Sequence, residues 1–135
     1  MDELEAELQA LAATTGDVAD EAAIVRVRSL CAQGMVQGSV AQFWAAVVLL
    51  RAADLPSVQA AHDLASVAMA GHRPARALAA RSYDKLRVLR GQLQKFGTLR
   101  AADGAALPCD SSTTDSERAK WDLPKLDVLR RDGGT

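Results

Sequence analysis

The sequence predicts an all-α fold: a compact array of about five antiparallel helices with repeat-like helix pairs, then a loop-rich C-terminal segment ending in a short helix. Three observations point there. Apolar residues make up 49% of the 135 residues but aromatic ones only 4%, so the core material is alanine, leucine and valine, which suit closely packed helices. These residues recur at spacings of three and four along most of the chain, the period of one helix face. Glycine, proline and capping residues interrupt the pattern at intervals of a few helical turns. The length fits a single domain, 1–135, with an acidic N-terminal helix (1–16), a helical core (17–99) and a segment of loop, short helix and frayed tail (100–135).

Leu4, Leu8 and Leu11 place a first helix from Asp2 to about Ala13, broken by Thr14-Thr15-Gly16-Asp17. Val18, Ala22, Val25 and Cys31 define a second, ending near Gly34, because glycine is favoured just past a helix end. Ser39 is placed to cap a third, Val40 to Ala53, which is apolar almost all round and therefore belongs at the centre. Pro56 starts a fourth, with Val58, Ala61, Ala65, Ala68 and Met69 inward and Gly71 closing it. Pro74 opens the fifth, where Ala75, Ala79, Ser82, Leu86, Leu89 and Leu93 form one regular stripe. The segment AAHDLASVAMAGH has the look of a tetratricopeptide- or Sel1-type helix pair, but it occurs once, short of the about three copies a solenoid needs. After Gly97 the helical period stops. Thr114-Asp115-Ser116-Glu117 is a capping box for a last short helix through Trp121. Pro124 ends it, Leu123, Leu126 and Leu129 anchor the tail, and Arg130 to Thr135 is expected to fray.

Charge is balanced in total, at −1, but not along the chain. Every charged residue before Arg26 is acidic (Asp2, Glu3, Glu5, Glu7, Asp17, Asp20, Glu21), whereas Arg73 to Arg100 is basic but for Asp84. The two regions can pair within one molecule, between two copies or with a charged partner, or can simply face solvent. A nucleic-acid partner is not expected, since no aromatic stacking platform accompanies the basic residues. The longest apolar run, Val40 to Leu50, is interrupted by Gln42 and too short to span a membrane, so no membrane partner is expected. The acidic N-terminus lacks the features of a secretory signal, and Cys31 and Cys109 lack metal or redox spacing. A cytoplasmic location with idle thiols is the resulting expectation.

The order of residues resembles an uncharacterised bacterial family, a domain of unknown function. Its signature sets paired alanines and D-R ahead of G-x-x-Q-x-F/Y-G-T-Q. Here the signature falls on Asp84-Lys85, Gly91, Gln94, Phe96, Gly97 and Thr98. Upstream the resemblance takes in RSLCAQG (Arg28 to Gly34) and Ala45-Ala46-Val47-Val48-Leu49. Downstream it takes in Pro108, Asp110, Thr114-Asp115, Arg118, Leu123-Pro124 and Leu126. It runs from about Val27 to Leu126 and implies no established activity. Lys85, Leu93 and Leu99 stand where the family has arginine, proline and glutamine. Lys85 keeps the charge without the guanidinium fork, and Leu93 in place of proline would let the fifth helix run further.

The resemblance implies that Asp84, Lys85, Gln94 and Thr98 converge where the fifth helix meets the corner. Held there, Asp84 and Lys85 are the candidate catalytic pair, and Gln94, Phe96, Thr98 and His62 the candidate ligand-binding residues. The competing reading makes Asp84 a surface residue paired with Arg81 and Arg87, or a buried fastener of the C-terminal loop. Gln-x-Phe-Gly-Thr then serves as a structural corner. His62 and His72 have no partner at metal-ligand spacing, and no glycine-rich phosphate loop follows a strand, so neither metal nor cofactor is expected. Two functions are compatible with these residues. The first is a helical binding module for a protein partner or small polar ligand; the second is a small cofactor-independent enzyme with Asp84 as acid or base and Lys85, Gln94 and Thr98 positioning substrate. A homodimer through the fifth-helix stripe is compatible with both.

Overall fold

A computed structural model describes residues 2–131, which form seven α-helices and no strand. These are α1 (Glu3–Ala13), α2 (Asp17–Ala32), α3 (Ser39–Leu49), α4 (Leu55–Ala68), α5 (Ala75–Leu89), α6 (Asp115–Lys120) and α7 (Leu126–Arg131). Helix α3 is central, as its all-round apolar sequence requires: it touches α1, α2, α4 and α5. The core is built from Leu8, Val27, Leu30, Ala45, Val48, Leu49, Ala61, Ala65 and Ala79, all fully buried. Alanines at the α3–α4–α5 contacts let the backbones approach closely, and a side chain on Gly71 would run into Ser39 Oγ across that contact. No helix among the described residues is long and apolar enough to cross a membrane.

Helix ends are specified by local chemistry. Asp2 and Asp54 cap α1 and α4 by accepting the amides of Glu5 and Ser57 at 2.7 and 3.0 Å. Helices α2 and α5 each end with a left-handed glycine, Gly34 (φ 68°) and Gly91 (φ 74°). Their reversed hydrogen bonds are Met35 N to Leu30 O and Gln92 N to Arg87 O. The same closure on α6 uses Asp122 (φ 57°) as the left-handed residue, and its carboxylate receives Arg73 at 2.9 Å.

Several expectations are corrected. Ser39 does not cap α3 but is its first residue, with Gly38 before it, and the helix stops at Leu49 rather than Ala53. Helix α5 does not run on through Leu93: the glycine closure stops it at Leu89, leaving Leu93 52% exposed. The stripe is therefore used inside the domain, with Ala75, Ala79, Ser82 and Leu86 buried where α5 packs on α4. Of the stripe, Leu89 and Leu93 stay exposed to solvent. Arg130 and Arg131 belong to α7 instead of a frayed end, and the remainder of the expected tail, 132–135, lies outside the described residues.

The acidic front finds its cations nearby. Glu7 takes a two-pronged bond from Arg26, at 2.7 and 3.1 Å. Arg51, just after α3, donates to the carbonyls of Leu11, Ala12 and Thr14 at the end of α1 and to Asp20 on α2. One guanidinium thus satisfies carbonyls that a helix end leaves without partners. In these contacts the acidic N-terminal residues engage Arg26 and Arg51, not the basic run of α5.

Candidate functional site

The family-like corner, Gln94 to Leu99, folds back over α5 and is held from both sides by buried charges. Asp84 is fully buried on α5. Its Oδ1 accepts the amides of Lys95 (2.7 Å) and Phe96 (2.9 Å), and its Oδ2 accepts the Thr98 amide (3.0 Å) and hydroxyl (2.6 Å). From the other side Arg118 of α6, 1% exposed, donates to Phe96 O (2.7 Å), Thr113 O (3.0 Å) and Asp115 Oδ1 (3.1 Å). The Phe96 residue thus has its N–H on a carboxylate and its C=O on a guanidinium. Asp115 also receives the Leu126 amide at 2.9 Å, tying α7 to the same group. That bond, ahead of its pairing with Arg118, holds the Asp115 carboxyl below the usual range.

Gln94 locks the corner internally. Its side-chain amide donates to Leu99 O and Leu107 O, its side-chain oxygen accepts the Leu99 amide, and its own carbonyl accepts from Asp110 N. Gly97 (φ 89°) makes the reversal, where a Cβ would also meet Leu126. Phe96, 2% exposed, packs edge-on against Tyr83 and tilted against Trp121, with ring centroids 6.3 and 5.8 Å away.

The four expected residues therefore do not converge on one cavity. Asp84, Gln94 and Thr98 are joined through the corner's backbone, whereas Lys85, one residue and about 100° further round α5, turns to α3 and donates to Leu50 O at 2.6 Å. The surface ion-pair reading of Asp84 fails as well, because the corner covers the carboxylate completely. What the geometry matches is a buried fastener, and its four donors occupy the carboxylate's lone pairs.

Lys85 and His62 line two separate concave surfaces. The larger, about 690 Å³, runs along α5 between α3 and the segment 98–107. Its walls are Val47, Leu50, Leu78, Val88, Leu89, Leu99 and Leu107, and its polar groups include Arg51, Arg81, Lys85 and Arg100 with no carboxylate among the lining side chains. Burial pushes the Lys85 ammonium below its ordinary pKa, opposed by the more distant Asp54. Arg100 donates to Gly104 O and Leu129 O, but its buried Nε has no acceptor among the described residues. The smaller, about 310 Å³, holds His62, Tyr83 and Trp121 beside Phe96. His62 and Phe96, both expected to bind ligand, thus share a pocket, while Gln94 is occupied by the corner and Thr98 reaches the larger groove. His72 stacks edge-on against Phe43 at 4.7 Å. Among the described residues no three His, Cys, Asp or Glu side chains cluster as metal ligands would.

Arg118, Arg100 and the Lys95–Glu117 pair (2.9 Å) are site residues that the sequence does not single out. Arg118 is visible there only as one letter of the downstream pattern. Nothing local marks an arginine in a six-residue helix for burial. Comparison with family models, with curated proteins and with solved structures finds no match to this chain. The resemblance to the unknown-function family rests on the quoted residues alone.

Proposed function

We propose that this protein is a helical binding module whose groove along α5 takes an acidic segment of a protein partner. The observation that carries the reading is the groove's chemistry: apolar walls of leucine and valine flank Lys85 and Arg100, with no carboxylate among the lining side chains. Such a surface is complementary to a segment that alternates carboxylates with aliphatic side chains. Lys85 carries a desolvation penalty that an incoming carboxylate would offset. The enzyme alternative draws no support from Asp84, whose oxygens are committed to the corner.

A synthetic peptide of glutamates interleaved with leucines is the probe. It is expected to bind saturably, more weakly as salt rises, and about tenfold more weakly to Lys85→Met, which keeps the stem and drops the charge. Isothermal titration checks this, with circular dichroism confirming that the variant is folded. Equal affinity of wild type and Lys85→Met, or absence of binding below millimolar peptide, overturns the reading.

A further inference from the structure

The smaller pocket shares no lining residue with the cationic groove, and its chemistry is different. Its wall is aromatic: Tyr83 from α5, Phe96 from the corner and Trp121 from the end of α6. His62 of α4 completes it, its ring centroid 5.7 Å from that of Tyr83.

The geometry around His62 favours one tautomer. Ser82 Oγ lies 2.9 Å from Ala79 O and donates its single hydrogen there. It therefore turns a lone pair to His62 Nδ1, 3.0 Å away. Ala79 O, 3.2 Å from the same nitrogen, can only accept. Two acceptors around Nδ1 place the proton on it, so in the neutral ring Nε2 bears the lone pair. Among the described residues nothing donates to Nε2. At the rim, Lys95 and Glu117 neutralise each other at 2.9 Å, so the pocket carries little net charge, with His62 and the hydroxyl-bearing Ser66 and Tyr83 as its other polar lining residues.

We propose that this pocket binds a small flat heteroaromatic molecule that packs its ring on the aromatic wall and donates a ring N–H to His62 Nε2. Its volume, about 310 Å³, lies at the low end of ligand clefts and suits one or two fused rings rather than a nucleotide. Aromatic walls supply the ring contact; the Nε2 lone pair supplies selectivity, because a ring without an N–H leaves Nε2 unpaired on desolvation.

The test uses the full chain, isotope-labelled, with indole and 1-methylindole as probes. Long-range proton–nitrogen correlation should read His62 as protonated on Nδ1 and bare on Nε2. Indole should shift the signals of His62, Tyr83 and Trp121 saturably, and 1-methylindole should bind about tenfold more weakly. His62→Phe, which keeps a ring and removes the acceptor, should erase that difference. The opposite tautomer, indole shifts confined to other residues, absence of saturable shifts, or equal affinity for the two probes overturns the proposal. The last comparison is made on the wild-type chain and does not depend on the variant folding.

Discussion

Asp84→Asn is expected to lower stability by about 3 kcal/mol. The carboxylate accepts four hydrogen bonds with no exposed surface. An amide of the same shape has one oxygen. Whichever way it flips, its NH2 faces two donors: either the Lys95 and Phe96 amides or the Thr98 amide and hydroxyl. Each buried donor left without an acceptor costs about 1–3 kcal/mol, partly relieved as the corner lifts into water. Urea denaturation should show a lower midpoint, and amide exchange of Lys95, Phe96 and Thr98 should accelerate ahead of α3. A loss below about 1 kcal/mol would mean that Asp84 does not fasten the corner.

Arg118→Met should cost less, about 2 kcal/mol. The guanidinium holds Phe96 O, Thr113 O and Asp115, so removing it leaves two carbonyls without partners. Against that, its own desolvation is incompletely repaid, since Nη2 is buried with no acceptor among the described residues. Methionine relieves that cost while filling the volume. The two variants thus rank by how fully each charge is satisfied. The Arg118 loss should also concentrate downstream, freeing Asp115 and with it the Leu126 amide. Amide exchange across 113–129 checks the location, and uniform loosening of all helices would contradict it.

The helices are legible in the sequence where a pattern is local. Gly34 stands just past a periodic run and closes α2, and Thr114 with Glu117 marks α6, the Thr114 hydroxyl accepting the Glu117 amide at 3.1 Å, whereas Gly91 closes α5 although the apolar stripe continues to Leu93. Helix α7 escapes a sequence reading because six residues with Leu129 as their one buried member show no period. The third helix reads too long because Leu50 and Ala52 continue its apolar run, although the chain already turns there to reach the Asp54 cap.

The site is legible only in part. The linkage of Asp84, Gln94 and Thr98 into one corner is implicit in the family-like signature. The burial of Asp84 is not, because a carboxylate between Arg81 and Arg87 reads as a surface residue until a loop about 10 residues downstream covers it. Lys85 goes with Asp84 by adjacency, yet neighbours on a helix point about 100° apart, and that angle sends it into the groove. The groove and the aromatic pocket are made by residues distant in sequence, such as Arg51 with Arg100 and His62 with Trp121, which no spacing rule brings together.

The most direct test of the binding account is the titration of the Lys85 ammonium, followed by NMR at its side chain with and without the glutamate–leucine peptide. Burial lowers this pKa in the free protein. A carboxylate placed in the groove favours the charged form and must raise it, so the complex takes up protons between the two values and binds more weakly as pH rises through that window. An upward shift on saturation is the predicted result. An unchanged Lys85 titration in the bound state would show that the peptide lies elsewhere and would contradict the assignment of the groove.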